Sequence, residues 1–278
     1  VTAAAPLSAA PQPLKPLVAI INATTVLEDA AFPAYVAAQQ RQVSGDFAPL
    51  WGKDAEIFFV GRGGTPPPGA WHLAFLDDAD QAGALGYHDT TADGHPLGKV
   101  FVKTTQTYGG IWQVTGSHEC LEMLGDPDIV RCVFIPHHTF PGILYAYEAA
   151  DAVEADQLGY EIDGVTLSDF VTQEWFDPGH YATAYSFRRN VSAPLQLAPG
   201  GYIGFYRVGR GSGWEQKTAQ LEHHSPSLAF GAEWHGARAV GHQLPHPGSR
   251  RERRARGGPQ WARSTVFESA AAPGASER

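Results

Sequence analysis

The spacing of apolar and polar positions changes several times along the chain, and each change predicts an element. Residues 17–27 (LVAIINATTVL) form a β-branched, apolar run that predicts a buried strand. Glu28 and Asp29 follow, acidic residues where a helix start favours them. Residues 30–43 are rich in Ala and Gln and carry Phe32, Tyr35 and Val36 on one face. They predict a helix that tolerates Pro33 in its first turn and is closed by Gly45 and Pro49. Residues 55–60, 71–76 and 99–104 predict further strands, with a short one at 84–88. A helix is expected from about Trp112 to Leu124. The order is therefore β-α-β-β-β-β-α. Beyond it, residues 143–146 are short and apolar, and 198–208 read as a turn and a strand. Residues 160–171 predict a hairpin, because Asp163-Gly164 sits between alternating residues.

Composition divides the chain into three parts. Residues 1–16 carry four prolines among small residues and predict a flexible leader. Residues 17–230 hold the periodic patterns and predict the folded domain. Residues 231–278 predict a low-complexity basic tail without fixed structure. From Ser249 onward there are seven Arg and three Glu, a local charge of +4 in a chain of net charge −9. An acidic body argues against nucleic-acid binding by the domain. The Arg-rich tail, with Trp261 and Phe267, is a candidate arm for an acidic partner or nucleic acid. No signal peptide and no apolar run of membrane-spanning length is visible, and the compartment stays open. Two cysteines, Cys120 and Cys132, cannot build a disulfide framework. They are expected as small buried side chains, or as one disulfide at the helix exit if the protein is exported.

The chemistry concentrates in residues 115–128 (TGSHECLEMLGDPD). On a helix His118 and Glu122 are four apart and share a face, so both can grip one cation from the same side. Glu119 points about 100° away. Gly125 permits a sharp turn at the helix end, and Asp128 follows it.

The spacing His118-Glu119-x-x-Glu122-x-x-Gly125-x-x-Asp128 resembles the long signature of the zincin metallopeptidases, and among them the metzincins. The β-α-β-β-β-β order before it is similar to the upper half of their catalytic domain. The resemblance implies an α+β, zincin-like fold. His118 would be the first ligand, and Glu119 the general base acting on a metal-bound water. Glu122 would be the second ligand, standing where the family has a His, and Asp128 the third. One nitrogen and two oxygens suit zinc and extend the choice to Mn or Ca. A rival third ligand lies in residues 147–154 (YEAADAVE), where Glu148 resembles the glutamate of gluzincins and Asp151 is a further ligand or its support. The family also implies an edge strand that holds a peptide or protein substrate, expected at Val100, Phe101 and Val102. A Tyr or His opposite the base would stabilise the oxyanion, expected from His180 or Tyr181, with Tyr185 behind them.

The same segment, with YEIDGVTLSDF at 160–170, is similar to uncharacterised bacterial and phage-associated proteins carrying HELLEML-DP and YEIDGV-VSDF. That resemblance implies no established activity; with no signal peptide or membrane span visible, a cytoplasmic or phage-associated setting is the expectation. The expectation is a metal-dependent hydrolase, foremost a peptidase. The alternative is a non-catalytic zincin-like scaffold in a phage or bacterial assembly.

Overall fold

The computed structural model describes residues 15–81, 84–179, 181–210 and 213–219. β1 (Leu17–Asn22) lies inside a five-stranded sheet with β2 (Glu56–Val60), β3 (Trp71–Leu76), β4 (Gly86–Thr90) and β5 (Pro96–Phe101). The order is β2-β1-β3-β5-β4. All pairings are parallel except that of β4, which runs antiparallel to β5. The apolar run of β1 is continuous because both faces are covered. Val18 and Ile20 enter the main core. Ala19 and Ile21 pack with Val60 and Ala70 on the other face.

The helix after β1 runs further than its sequence suggests. α1 (Phe32–Arg41) passes through a π-helical turn (Gln42–Phe47) into α2 (Ala48–Trp51). Gly45 and Pro49 do not end it. Pro49 falls in the first turn of α2, where its missing N–H is tolerated. The stop is Gly52, left-handed at φ 64°. Burial carries the helix this far. Phe47 and Trp51 stack at 5.1 Å, and Trp51 Nε1 donates to the Val171 carbonyl at 2.9 Å. At the other end Phe32 and Tyr35 meet Phe75 and Trp112 with ring centroids 5.2–5.5 Å apart. Such pairs contribute about 0.5–1.5 kcal/mol each beyond the area they bury.

The strand expected at 99–104 is displaced. β5 ends at Phe101, and the chain turns at once into α3 (Val102–Thr107). The N–H groups of Lys103 and Thr104 donate to the Asp77 carbonyl, which ties the start of this helix to the end of β3. Val100, Phe101 and Val102 are fully buried, and β5 is paired on both sides. They therefore cannot be the edge that receives a substrate backbone. The edge on this side is β4.

α4 (Trp112–Gly125) lies under this sheet against β4 and β5. The second half of the chain contributes β6 (Cys132–Pro136), β7 (Gly142–Ala146), β8 (Tyr160–Ile162), β9 (Val165–Leu167), β10 (Tyr202–Val208) and β11 (Glu215–Thr218). An antiparallel sheet has the order β11-β10-β7-β6, and β8–β9 is a hairpin. Its turn places Asp163 and Gly164 at φ 50° and 78°, as a two-residue hairpin loop requires. The hairpin is bonded to both helices. Gln42 Nε2 donates to the Ser168 carbonyl at 2.9 Å, and Ser168 N donates to Ser117 Oγ of α4 at 2.7 Å.

Among the described residues the fold is thus α+β, with a mixed five-stranded sheet, an antiparallel four-stranded sheet and the β8–β9 hairpin. Among the described residues, no helix is long and apolar enough to cross a membrane. Lys15 and Pro16, read as leader, are attached to the domain: Lys15 pairs with Asp54 at 2.6 Å and Pro16 accepts from Glu56 N. The remaining leader (1–14) and the basic tail (231–278) with Trp261 and Phe267 lie outside the described residues. Neither Cys120 nor Cys132 forms a disulfide, and burial pushes the Cys120 thiol up to about 12, which disfavours the thiolate.

Candidate metal centre

α4 is buried along nearly its whole length. Two glycines let it approach the rest of the domain. A Cβ at Gly116 would stand 2.6 Å from the Tyr35 hydroxyl and 2.8 Å from the Phe75 ring. A Cβ at Gly86, on β4, would stand 2.7 Å from Glu119 Oε1 and 2.9 Å from the Lys99 carbonyl. Helix and edge strand therefore meet at van der Waals distance, with the Glu119 carboxylate against Gly86.

His118, Glu119 and Glu122 are 1 %, 1 % and 3 % exposed. The helical spacing does bring His118 and Glu122 together: Nε2 of the first lies 3.2 Å from Oε2 of the second. Asp151 joins them, its Oδ1 3.2 Å from His118 Nε2. It sits on a 3-10 turn (Asp151–Val153) shortly after β7. The local sequence explains the approach. Small residues at Ala149, Ala150 and Ala152 leave the backbone accessible, and the N–H groups of Ala150 and Asp151 donate to Glu122 Oε1 at 3.1 and 3.2 Å. The segment is pinned from outside by Val171 N on the Ala149 carbonyl and Ala198 N on the Ala152 carbonyl.

A further histidine completes the cluster. His88, on β4, has a side chain only 6 % exposed. Its Nδ1 lies 3.5 Å from Glu122 Oε2 and 3.7 Å from Glu119 Oε2, and its Nε2 lies 3.5 Å from Glu148 Oε2. Two groups of three residues result, each with one ligand atom per residue within 4.8 Å of the others: His118, Glu122 and Asp151, and His88, Glu122 and Glu148.

Electrostatics couple these groups. Burial acts to lower the pKa values of His118 and His88, but the surrounding carboxylates outweigh it and hold both well above the usual histidine range. Burial would raise Glu122, yet the two imidazoles bring it well below the carboxylate range. Asp151 is raised well above its usual value by burial and by the charge of Glu122. The Tyr202 phenol is pushed up by burial and by the negative charge of Asp151. Negative charge crowded in this way calls for a counter-charge, from protonated imidazoles or from a bound cation. Each of the two groups has its nitrogen and carboxylate atoms close enough together to hold a metal ion.

The other expected residues are dispersed. Asp128 is exposed on the turn after α4. That turn is organised by its neighbour: Asp126 is buried and accepts from Val130 N and Arg131 N at 3.1 and 3.0 Å. Tyr181 is 90 % exposed. Tyr185 is buried, with its hydroxyl accepting from Ala182 N at 3.1 Å. His180 lies outside the described residues. Sequence reasoning passed over His88 and Tyr202. A signal for His88 existed: it lies two residues from Gly86 in a short strand just upstream of the motif, so both share one face. Tyr202 carried none, because only tertiary packing brings it to Asp151.

The arrangement is a buried, mixed imidazole–carboxylate cluster with a further carboxylate, Glu119, beside it. No protein-family model, curated protein or solved structure matches this chain.

Proposed function

We propose that the protein is a metal-dependent hydrolase of zincin-like design, acting on peptide bonds. The observation that carries this reading is the mutual 3.2 Å approach of His118 Nε2 to Glu122 Oε2 and Asp151 Oδ1, with Glu119 next along the same helix. Asp151 takes the third-ligand role in preference to Asp128. A cation held there would polarise a scissile carbonyl and acidify water. Glu119 is the proton acceptor, and its place against Gly86 aims it at the edge strand. β4 pairs only with β5 among the described residues, so its outer side is where an extended substrate backbone adds.

The near-complete burial of His118 and Glu119 favours a second reading, a structural ion in a non-catalytic scaffold. One experiment separates the two. Zinc content by elemental analysis and hydrolysis of a peptide library are measured for wild type, His118→Ala and Glu119→Gln. The hydrolase reading expects zinc in wild type and Glu119→Gln, less in His118→Ala, and turnover lowered about 10²–10⁴-fold by Glu119→Gln. Zinc without hydrolysis supports the scaffold. No zinc in any form overturns both readings.

A further inference from the structure

We infer that the centre holds two cations, with Glu122 shared between them. The inference rests on the metal-binding part of the preceding reading and extends it from one ion to a pair. Three observations carry it. Glu122 belongs to both groups of converging ligand atoms, and its Oε2 lies 3.2 Å from His118 Nε2 and 3.5 Å from His88 Nδ1. One carboxylate oxygen thus faces an imidazole on either side, and a single small cation cannot take all five residues at bonding distances near 2 Å. Each side also has a carboxylate of its own, Asp151 with His118 and Glu148 with His88. Third, the second side is built from an element the motif does not include. His88 comes from β4, its side chain is 94 % buried, and its Nε2 makes no hydrogen bond although it faces Glu148 Oε2 at 3.5 Å. Its other ring nitrogen, Nδ1, faces Glu122 Oε2 at 3.5 Å, so the ring stands between the two carboxylates of the second group.

The other Glu122 oxygen also has a function. Oε1 accepts the Ala150 and Asp151 N–H groups, so the carboxylate is held in one orientation before any ion arrives. A bridging ligand must be fixed in this way if two positive ions are to sit about 3.5–4 Å apart. Lining the two positions are three carboxylates, Glu122, Asp151 and Glu148, with Glu119 against the His88 ring. This is enough negative charge to balance two divalent ions.

The test loads the full chain with Mn(II) or Zn(II), removes free metal, and measures bound metal per chain by elemental analysis. Electron paramagnetic resonance is recorded on the manganese form. About two ions per chain and a spin-coupled manganese signal are expected in wild type. His88→Ala and the milder Glu148→Gln should each fall to about one ion and lose the coupled signal. His118→Ala should also retain about one. Circular dichroism confirms that each variant is folded, and Glu148→Gln serves if His88→Ala is not. One ion in wild type, unaffected by Glu148→Gln, overturns the inference and leaves the single-ion hydrolase standing. Two ions without peptide hydrolysis support the inference and remove the hydrolase. No bound metal overturns both.

Discussion

The two walls of the cluster are made in different ways. His118, Glu119 and Glu122 come from little more than one turn of α4, so their relative positions follow from helix geometry alone. His88, Glu148 and Asp151 come from an edge strand and from the segment after β7, far apart in sequence. Their positions depend on the approach of β4 to α4 and on the bonds that pin residues 149–152. The spacing of the helical wall is set by the helix itself, and from outside it is touched most closely where Gly86 meets Glu119. The assembled wall can be damaged from a distance. Glu122 joins the two, since it belongs to the helix yet holds the opposite backbone.

The largest effect is therefore expected at Glu122. Glu122→Gln keeps an oxygen to accept from Ala150 and Asp151 but removes the charge that both proposed metal positions share. Bound metal should fall to near zero and hydrolysis with it, while the fold survives. Thermal denaturation with and without zinc checks this. A ligand at a hundredfold excess over Kd stabilises by about 2.7 kcal/mol, which is several degrees for a domain of this size. Wild type should show that shift and Glu122→Gln should not. A full zinc shift in the variant would mean that the ion sits elsewhere.

A smaller effect is expected from the interface between the walls. Gly86→Ala places a methyl 2.7 Å from Glu119 Oε1 and 2.9 Å from the Lys99 carbonyl. The carbonyl is backbone and cannot swing aside, so β4 shifts or Glu119 turns away. Overpacking of this kind costs about 1–3 kcal/mol. Because catalysis is sensitive to sub-ångström placement, kcat should drop by roughly tenfold or more while zinc at His118, Glu122 and Asp151 stays bound. Steady-state kinetics and metal analysis on the same sample would show this split. Loss of zinc in step with kcat would mean that the assembled wall also holds the helical side in place.

The same division explains what could be read in the sequence. Strand β3 and helix α4 were legible because long apolar runs and helical spacing are local properties. The pairing of His118 with Glu122 was legible for the same reason. The extension of the first helix through Gly45 and Pro49 was not, because the burial of Phe47 and Trp51 outweighs two local stop signals. Strand β5 was misplaced towards the C-terminus because Val102 is apolar whether it ends a strand or opens a buried helix. Strands β6 and β11 were missed, since the first is short, beginning at Cys132 and ending at Pro136, and the second (EQKT) is polar throughout. His88 was marked locally only by its alternation with Gly86 in a short strand, and that alternation does not say that the shared face meets a helix thirty residues later.

The smallest effect expected is the most direct check on where the third ligand lies. The motif alone assigns it to Asp128, three residues past Gly125, whereas the chain turns away there. Asp126 is buried and gathers the Val130 and Arg131 N–H groups, and Ile129 is buried in a left-handed conformation at φ 52°. That geometry leaves Asp128 in solvent. Asp128→Asn should change neither metal content nor midpoint temperature measurably, as is usual for surface positions. Asp126→Ala two residues earlier should cost about 1–3 kcal/mol by leaving two N–H groups without their acceptor. The pair is informative because both variants remove one carboxylate from the same turn. If Asp128→Asn releases zinc, the chain after α4 must fold back over the helix end when an ion binds. Asp151 would then support a ligand set that includes Asp128, and the assembled wall would begin three residues past the helix instead of after β7.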